Sequence, residues 1–227
     1  VSVLSRAVAS KSAIPVLEGI FLKTEEGSIS MMSYNLEIGL TKTIDASVEE
    51  FGEIVINARL LSDILRRMKG EEVIFTCDER MLCHIECGTA KFDIMGMAGA
   101  DFPEMPVVSD GTKFVMTGEM LKRLVRQTAF AVSPIEGTRP ILTGINVVIE
   151  NGEISFVAID GYRLAIRKEK MAGVDDVNFV VSAKSVNEVC RILDDETAAE
   201  IKIGKRNISF TFNGYVFISR LLDGDFV

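Results

Sequence analysis

The chain has 227 residues, 25 Lys and Arg against 33 Asp and Glu for a formal net charge of −8, and 48% hydrophobic residues. That length allows one large domain or two ordinary ones, and the balance is that of a globular chain. Net negative charge counts against a nucleic-acid partner unless positive charge is gathered locally, and no apolar run approaches the ~20 residues that span a bilayer.

In chain order, "VSVLSRAVAS" predicts an amphipathic helix over Val1 to Ala9. "GIFLKTEEGSISMM" then predicts a β-hairpin, because apolar alternation flanks a Gly-centred turn. A third strand, a helix near Arg59 to Met68 and a run of short strands follow, up to "GADFPEMPVVSDGTK", where prolines and a Ser-Asp-Gly turn break every period. The same order then returns: a helix over Gly118 to Ala129, the hairpin "GINVVIENGEISFVAI", a third strand, a helix over Lys184 to Leu193, and short strands.

The return is literal. A shift of 125 residues lays Ile14–Met31 on Arg139–Phe156 with eight of eighteen positions identical, among them Pro15/Pro140, Gly19/Gly144 and Gly27/Gly152. Chance gives about one at typical residue frequencies. The prediction is a duplicated domain, spanning 1–105 and 112–227, of α+β class, with two helices per copy against mostly antiparallel strands. The chain opens inside a helix-like segment without Met and closes on the strand-like "YVFISRLLDGDFV", so the expectation is a piece of a longer protein. No basic-then-apolar leader is visible and four cysteines are too few for a disulfide scaffold, so a reducing cytoplasm is expected.

On the helix taken from Arg59 to Lys69, spacing turns Leu61, Ile64, Leu65 and Met68 inward and leaves Arg59, Ser62, Asp63 and Arg66 outward. On the next, Leu121, Leu124, Val125 and Thr128 face in while Glu119, Lys122, Arg123 and Arg126 face out. The last shows Lys184, Asn187, Glu188 and Arg191. With Arg6 and Lys11, these segments hold 11 basic and 3 acidic residues, leaving 14 basic and 30 acidic elsewhere. One reading is that soluble helices carry Lys and Arg outward as a matter of course. The other is an electropositive wall for phosphates, touching the backbone without sequence preference. No aromatic residues accompany the cations, so stacking on single-stranded bases is not expected.

Other constellations carry less. "CDERMLCHIEC" invites zinc, but Met81 to Cys87 reads as a strand that sends Cys83 and Cys87 to one side and His84 to the other, so buried thiols and no metal are expected. The only histidine is His84, and no nucleophile elbow or phosphate loop occurs, so neither catalysis nor a cofactor is expected. In "VAIDGYRLAIRK", Asp160 falls on Asn35 of the first copy, a turn residue on a turn residue. Tyr162 and Arg163 have no counterpart there. They read either as a solvated turn or as the rim of an apolar depression lined by Leu142, Ile159, Tyr162 and Leu164.

"SRAVASKSAIPVLEGI", "YNLEIGL", "ADFPEMP", "AIDGYRLA" and "SRLLDGDF" run through the whole chain in order. Together they resemble the bacterial DNA polymerase III beta subunit family, the sliding clamps. The resemblance implies three copies of one domain, of which the third is absent here together with the opening strand of the first. It implies a head-to-tail homodimeric ring with a basic helical inner wall, encircling double-stranded DNA and tethering the replicative polymerase, without catalysis. By position Lys11 matches a DNA-contacting residue and Arg139 lies in the corresponding loop of the second domain, where Pro140 and Ile141 replace the family's paired tyrosines. Polymerase and clamp loader would dock through short linear motifs with apolar ends, against Leu142, Ile159, Gly161, Tyr162, Arg163, Leu164 and Val227. The ring contact would lie near Phe92 and Ile94, so a chain without its third domain is expected to be a monomer. A scaffold of the same fold that no longer encircles DNA is the alternative, and a small hydrolase using Asp160, Tyr162 and Arg163 a remote third.

Overall fold

The computed structural model describes residues 1–134 and 139–226. They form two compact units, Val1–Met105 and Pro106–Val227.

In the first unit, single 3-10 turns at Leu4–Ala7 and Pro15–Glu18 lead into β1 (Gly19–Glu25), β2 (Ser28–Tyr34), β3 (Ile38–Asp45) and β4 (Glu53–Asn57). Helix α1 (Ala58–Arg67) follows, then β5 (Ile74–Cys77), β6 (Leu82–Cys87), β7 (Ala90–Met95) and the short β8 (Met97–Ala98). The strands pair antiparallel in the orders β8-β4-β1-β2-β3 and β5-β6-β7. Phe21 stacks on Phe102 at 5.2 Å between ring centres, in a cluster with Val16 and Val55.

The second unit adds β9 (Thr112–Thr117) and α2 (Gly118–Arg126) in front of the same plan. A 3-10 turn at Pro140–Thr143 precedes β10 (Gly144–Glu150), β11 (Glu153–Ile159), β12 (Leu164–Lys170) and β13 (Val177–Ser182). Helix α3 (Ala183–Ile192) and β14 (Ala198–Ile203), β15 (Asn207–Phe212) and β16 (Tyr215–Arg220) complete it. Its sheets have the orders β12-β11-β10-β13 and β16-β15-β14-β9. The duplication is kept residue for residue, since β1, β2 and α1 recur as β10, β11 and α3 at a spacing of 125. Asn151 and Gly152, at φ 52° and 75°, turn the β10–β11 hairpin with the left-handed pair that a two-residue loop requires.

Each helix is set by its apolar stripe and its cap. Asn57 Oδ1 accepts from Leu60 N–H at 3.1 Å and Thr117 Oγ1 from Met120 N–H at 3.3 Å, so α1 and α2 start where their strands end. A side chain at Gly118 would collide with the Asp194 carbonyl, so the strand-to-helix corner admits only glycine. Leu61, Leu121, Leu124, Val125 and Thr128 are buried as the spacing predicts, while Ile64 and Leu65 on α1 and Met68 at its end are only half-buried; Val186 and Val189 are buried on α3.

The helix expected over Val1 to Ala9 is instead the one 3-10 turn at Leu4–Ala7. The cause lies outside its own propensity: Ala9 N–H donates to Leu17 O at 2.9 Å, which pulls the chain into extended backbone at Val8. Helix α2 also stops at Arg126, short of the expected Ala129, and Thr128 Oγ1 donates to Leu124 O at 2.8 Å.

Leu124 sits at full burial under α2. Leu124→Ala should lower the unfolding free energy of the second unit by about 2–5 kcal/mol, read from the urea midpoint at unchanged m-value.

Candidate nucleic-acid face and docking edge

Burying the apolar stripes leaves Arg59 and Arg66 exposed on α1, and Lys184, Arg191 and Arg126 exposed on α3 and α2. Helices α2 and α3 pack side by side, and the groove between them is lined by Lys122, Val125, Arg126, Asn187, Cys190 and Arg191. Three cations therefore face one channel with an apolar floor. Lys122 Nζ is held by Asp195 Oδ1 at 2.6 Å, and Arg191 pairs with Glu188 one turn back. Arg126 has no carboxylate in ion-pair range among the described residues, nor have Lys11, Arg59, Arg66, Arg139 or Lys184. Arg123, expected outward, instead bridges Glu119 at 3.0 Å and Glu169 at 3.1 Å. Glu169 also takes Arg167 Nη2 at 2.6 Å, and this bond, with that of Arg123, holds its carboxyl below the usual range. Arg6 and Lys11 are exposed around the first 3-10 turn, and Arg139 is exposed at the start of the Pro140–Thr143 turn.

Cys190 on α3 is half-buried in the groove floor. Burial pushes its thiol up to about 12, so it stays protonated at neutral pH and is no nucleophile.

The second surface is the tip and edge of the β11–β12 hairpin. Asp160 Oδ1 accepts the backbone N–H groups of Tyr162 at 2.9 Å and Arg163 at 2.8 Å. Its Oδ2 accepts both Arg163 Nε and Nη2, at 2.8 and 2.6 Å, so one oxygen takes two charge-assisted bonds from the guanidinium. Those backbone bonds, then the guanidinium, lower the carboxyl to about 2, and Gly161 supplies the φ of 92° at the corner. Asn35 builds the same turn in the first copy, accepting from Glu37 and Ile38 N–H at 3.1 and 2.9 Å. Asp160 is thus a fully engaged turn anchor, ionised near neutrality, and not an acid available for proton transfer.

Around this tip Tyr162 is wholly exposed, and Leu164 and Ile166 are 60% and 54% exposed on one face of edge strand β12. Ile159 lies opposite Leu164, and Val157 opposite Ile166, on β11. Leu142 is half-buried on the turn that leads into β10. Val227 lies outside the described residues. The first copy differs at this edge. Gly39 stands where Leu164 does, and the Met105 thioether fills the space a side chain there would take, beside Tyr34. Neither Ile166 nor Met105 was singled out by the sequence; alternation along β12 carries the signal for Ile166, and none exists for Met105.

The remaining expectations fall out as follows. Phe92 is half-buried on β7, but Ile94 is only 6% exposed and belongs to the unit's own core, because it shares the inward face of the sheet with Ile85. Ile74, Phe75 and Met95 are the exposed apolar residues of that small sheet. Cys77 is exposed and bonded to Cys83 in a disulfide, which corrects the expectation of buried thiols; the two sit directly opposite across β5 and β6. Cys83 and Cys87 do face inward and His84 outward, where its Nδ1 meets Asp93 at 2.6 Å. Among the described residues no group of three or more His, Cys, Asp or Glu is placed to hold a metal, and no helix is long and apolar enough to cross a membrane.

Comparison with known proteins settles the family. Residues 1–106 match the N-terminal domain of the DNA polymerase III beta subunit, and residues 115–227 match its central domain. The chain belongs to the DNA polymerase III beta subunit family. The beta sliding clamp of Bacillus subtilis is 33% identical over 232 residues, covering 97% of this chain and 61% of that protein. The crystal structure of a DNA polymerase III beta subunit from Eubacterium rectale superposes with a TM-score of 0.95 at 29% identity, covering 99% of this chain and 62% of the other. The Bacillus subtilis sliding clamp structure gives 0.92 at 32% identity, covering 100% and 62%. The chain thus spans about three-fifths of the length of the beta subunits it matches.

The anchor at the hairpin tip has a pH signature. Its folded-state carboxyl lies below the ordinary 3.8, so the turn's contribution is complete above that value and is lost as pH falls toward about 2. The amide resonances of Tyr162 and Arg163 should stay fixed from neutral pH down to about 4 and move only below it, and Asp160→Ala should shift both at every pH.

Proposed function

We propose that this chain is part of a DNA sliding clamp, a processivity factor without catalysis of its own, which encircles double-stranded DNA and tethers a replicative polymerase. The observation that carries this reading is the gathering of cations on outward helix faces in a chain whose net charge is −8, above all in the α2–α3 groove. Lys11, Arg59, Arg66, Arg126, Arg139 and Lys184 offer unpaired charge to phosphates, with Arg6, Lys122 and Arg191 beside them. None of this arrangement reads bases: no aromatic side chain lines the groove, so attraction is to the backbone and fades with salt. Weak, sequence-blind attraction suits a protein that must slide, with retention supplied by a closed ring.

Ring closure in the full-length homodimer is assigned to the open edge of β7. Strand edges join through backbone groups, so burial of Ile94 inside its own unit does not block pairing, and Phe92 and Met95 supply apolar contact. Polymerase and clamp loader dock through apolar-ended linear motifs on the β12 edge, where Leu142, Ile159, Gly161, Tyr162 and Leu164 form the surface and the Asp160–Arg163 pair fixes its rim. In the first copy Met105 already fills the matching place, which favours docking on the second.

The test uses full-length protein loaded on nicked circular DNA and followed by gel filtration. Cutting the circle once should release the protein; equal retention on circle and linear DNA would overturn encirclement and leave the scaffold reading. Converting Lys11, Arg66, Lys122 and Arg126 together to Gln should flatten the log–log salt dependence of binding to a short duplex by about 3 to 4, at roughly 0.9 per phosphate contact. Leu164→Ala and Tyr162→Ala should each weaken an apolar-ended fluorescent peptide by about tenfold in an anisotropy titration, while leaving duplex binding unchanged.

A further inference from the structure

We propose that Cys77 and Cys83 form a reversible thiol–disulfide site, opened and closed by exchange with a low-molecular-weight thiol at the Cys77 sulfur. The two residues face each other across β5 and β6 and are covalently joined. Strand β5 lies at the edge of its sheet and all four of its residues are exposed, Cys77 among them, whereas Cys83 is completely buried.

The turn between them does not depend on the bond. Asp78 Oδ1 accepts from Arg80 and Leu82 N–H, both at 2.9 Å, and Asp78 N–H donates to Leu82 O at 3.0 Å. Met81 N–H closes onto Asp78 O at 3.0 Å, and Met81 O is held in turn by Gly96 N–H at 2.8 Å. The hairpin is therefore in register with the sulfurs joined or apart. The cross-link spans only six residues of sequence, so it removes less freedom from the unfolded chain than a bridge across a long loop would. A bond that the fold does not need, between sulfurs that the fold holds together, is free to form and break in the native protein.

Exposure sets the direction of the chemistry. An incoming thiolate reaches Cys77 Sγ and not Cys83 Sγ, so it forms a mixed disulfide on Cys77 and expels Cys83, which takes up a proton. A second thiolate then attacks the outer sulfur of that adduct. It leaves Cys77 as a thiol and the reductant as its own disulfide, two electrons having passed to the protein. Oxidation by the small-molecule disulfide runs the same steps backwards. Cys87 takes no part, since it lies four strand positions from Cys83, roughly 13 Å away along β6. Transient disulfides of this kind are the usual form in a reducing compartment.

The experiment equilibrates the native full-length protein in glutathione buffers from fully reduced to fully oxidised. At each point the sample is acid-quenched, and its free thiols are alkylated in denaturant and located by peptide mass; accessibility in the variants is read by a parallel alkylation without denaturant. The expected result is one reversible transition in which Cys77 and Cys83 gain and lose label together while circular dichroism stays constant. Cys83→Ser should accumulate glutathione on Cys77, and in Cys77→Ser the Cys83 thiol should stay unlabelled until the protein is denatured. Label on both cysteines in every buffer would overturn the proposal, as would a bond that survives full reduction in the folded protein. If Cys83→Ser does not fold, the wild-type titration still decides.

Discussion

The cationic face of this chain depends on which way its helices lie, and that is fixed by burial. Leu121, Leu124 and Val125 on α2, with Val186 and Val189 on α3, leave water only if each helix turns one stripe toward the sheets. Once that stripe is in, Lys122, Arg126 and Arg191 have no other place than the facing groove. The electropositive surface is thus a consequence of core packing. Its cations need no energy of their own to be positioned, and acids such as Asp195 and Glu188 temper it without cancelling it.

The hairpin between β11 and β12 works on a different principle. Here a single carboxylate does what a core does elsewhere: it takes two backbone donors and a guanidinium and so holds an exposed corner still. Tyr162 and Leu164 thus stand in solvent beside a held corner, and on the docking reading that support lowers the cost of ordering them on binding. The first copy builds the same corner with Asn35 and without a counterpart of Tyr162 or Leu164, so the turn does not require the surface placed on it.

Much of this was legible beforehand, for physical reasons that can be named. Hairpins and helix faces follow from periods of two and 3.6, and the shift of 125 residues doubled the evidence for each. What escaped the sequence was decided by contacts between distant positions. Ala9 abandons a helix because Leu17 offers a carbonyl, and Lys122 is tempered by Asp195, 73 residues away. Alternation places Cys83 and Cys87 on one face and His84 on the other, yet does not say that Cys77 stands opposite Cys83, because strand register is set by the turn and not by either strand alone. The place of Ile94 in a ring contact rests on the resemblance alone, since apolar residues in a strand look alike whether the core or a partner buries them, and here its own unit already covers it.

Met105 over Gly39 bears on valence. Gene duplication hands a protein two of every surface, and two seats on one chain would let partners crowd or bridge one another. By laying a thioether across one of them, the first copy withdraws from that competition without losing its fold. On the docking reading only the second of these two copies keeps its seat open, so partners that use this seat must take turns at it, and their order becomes a matter of relative affinity.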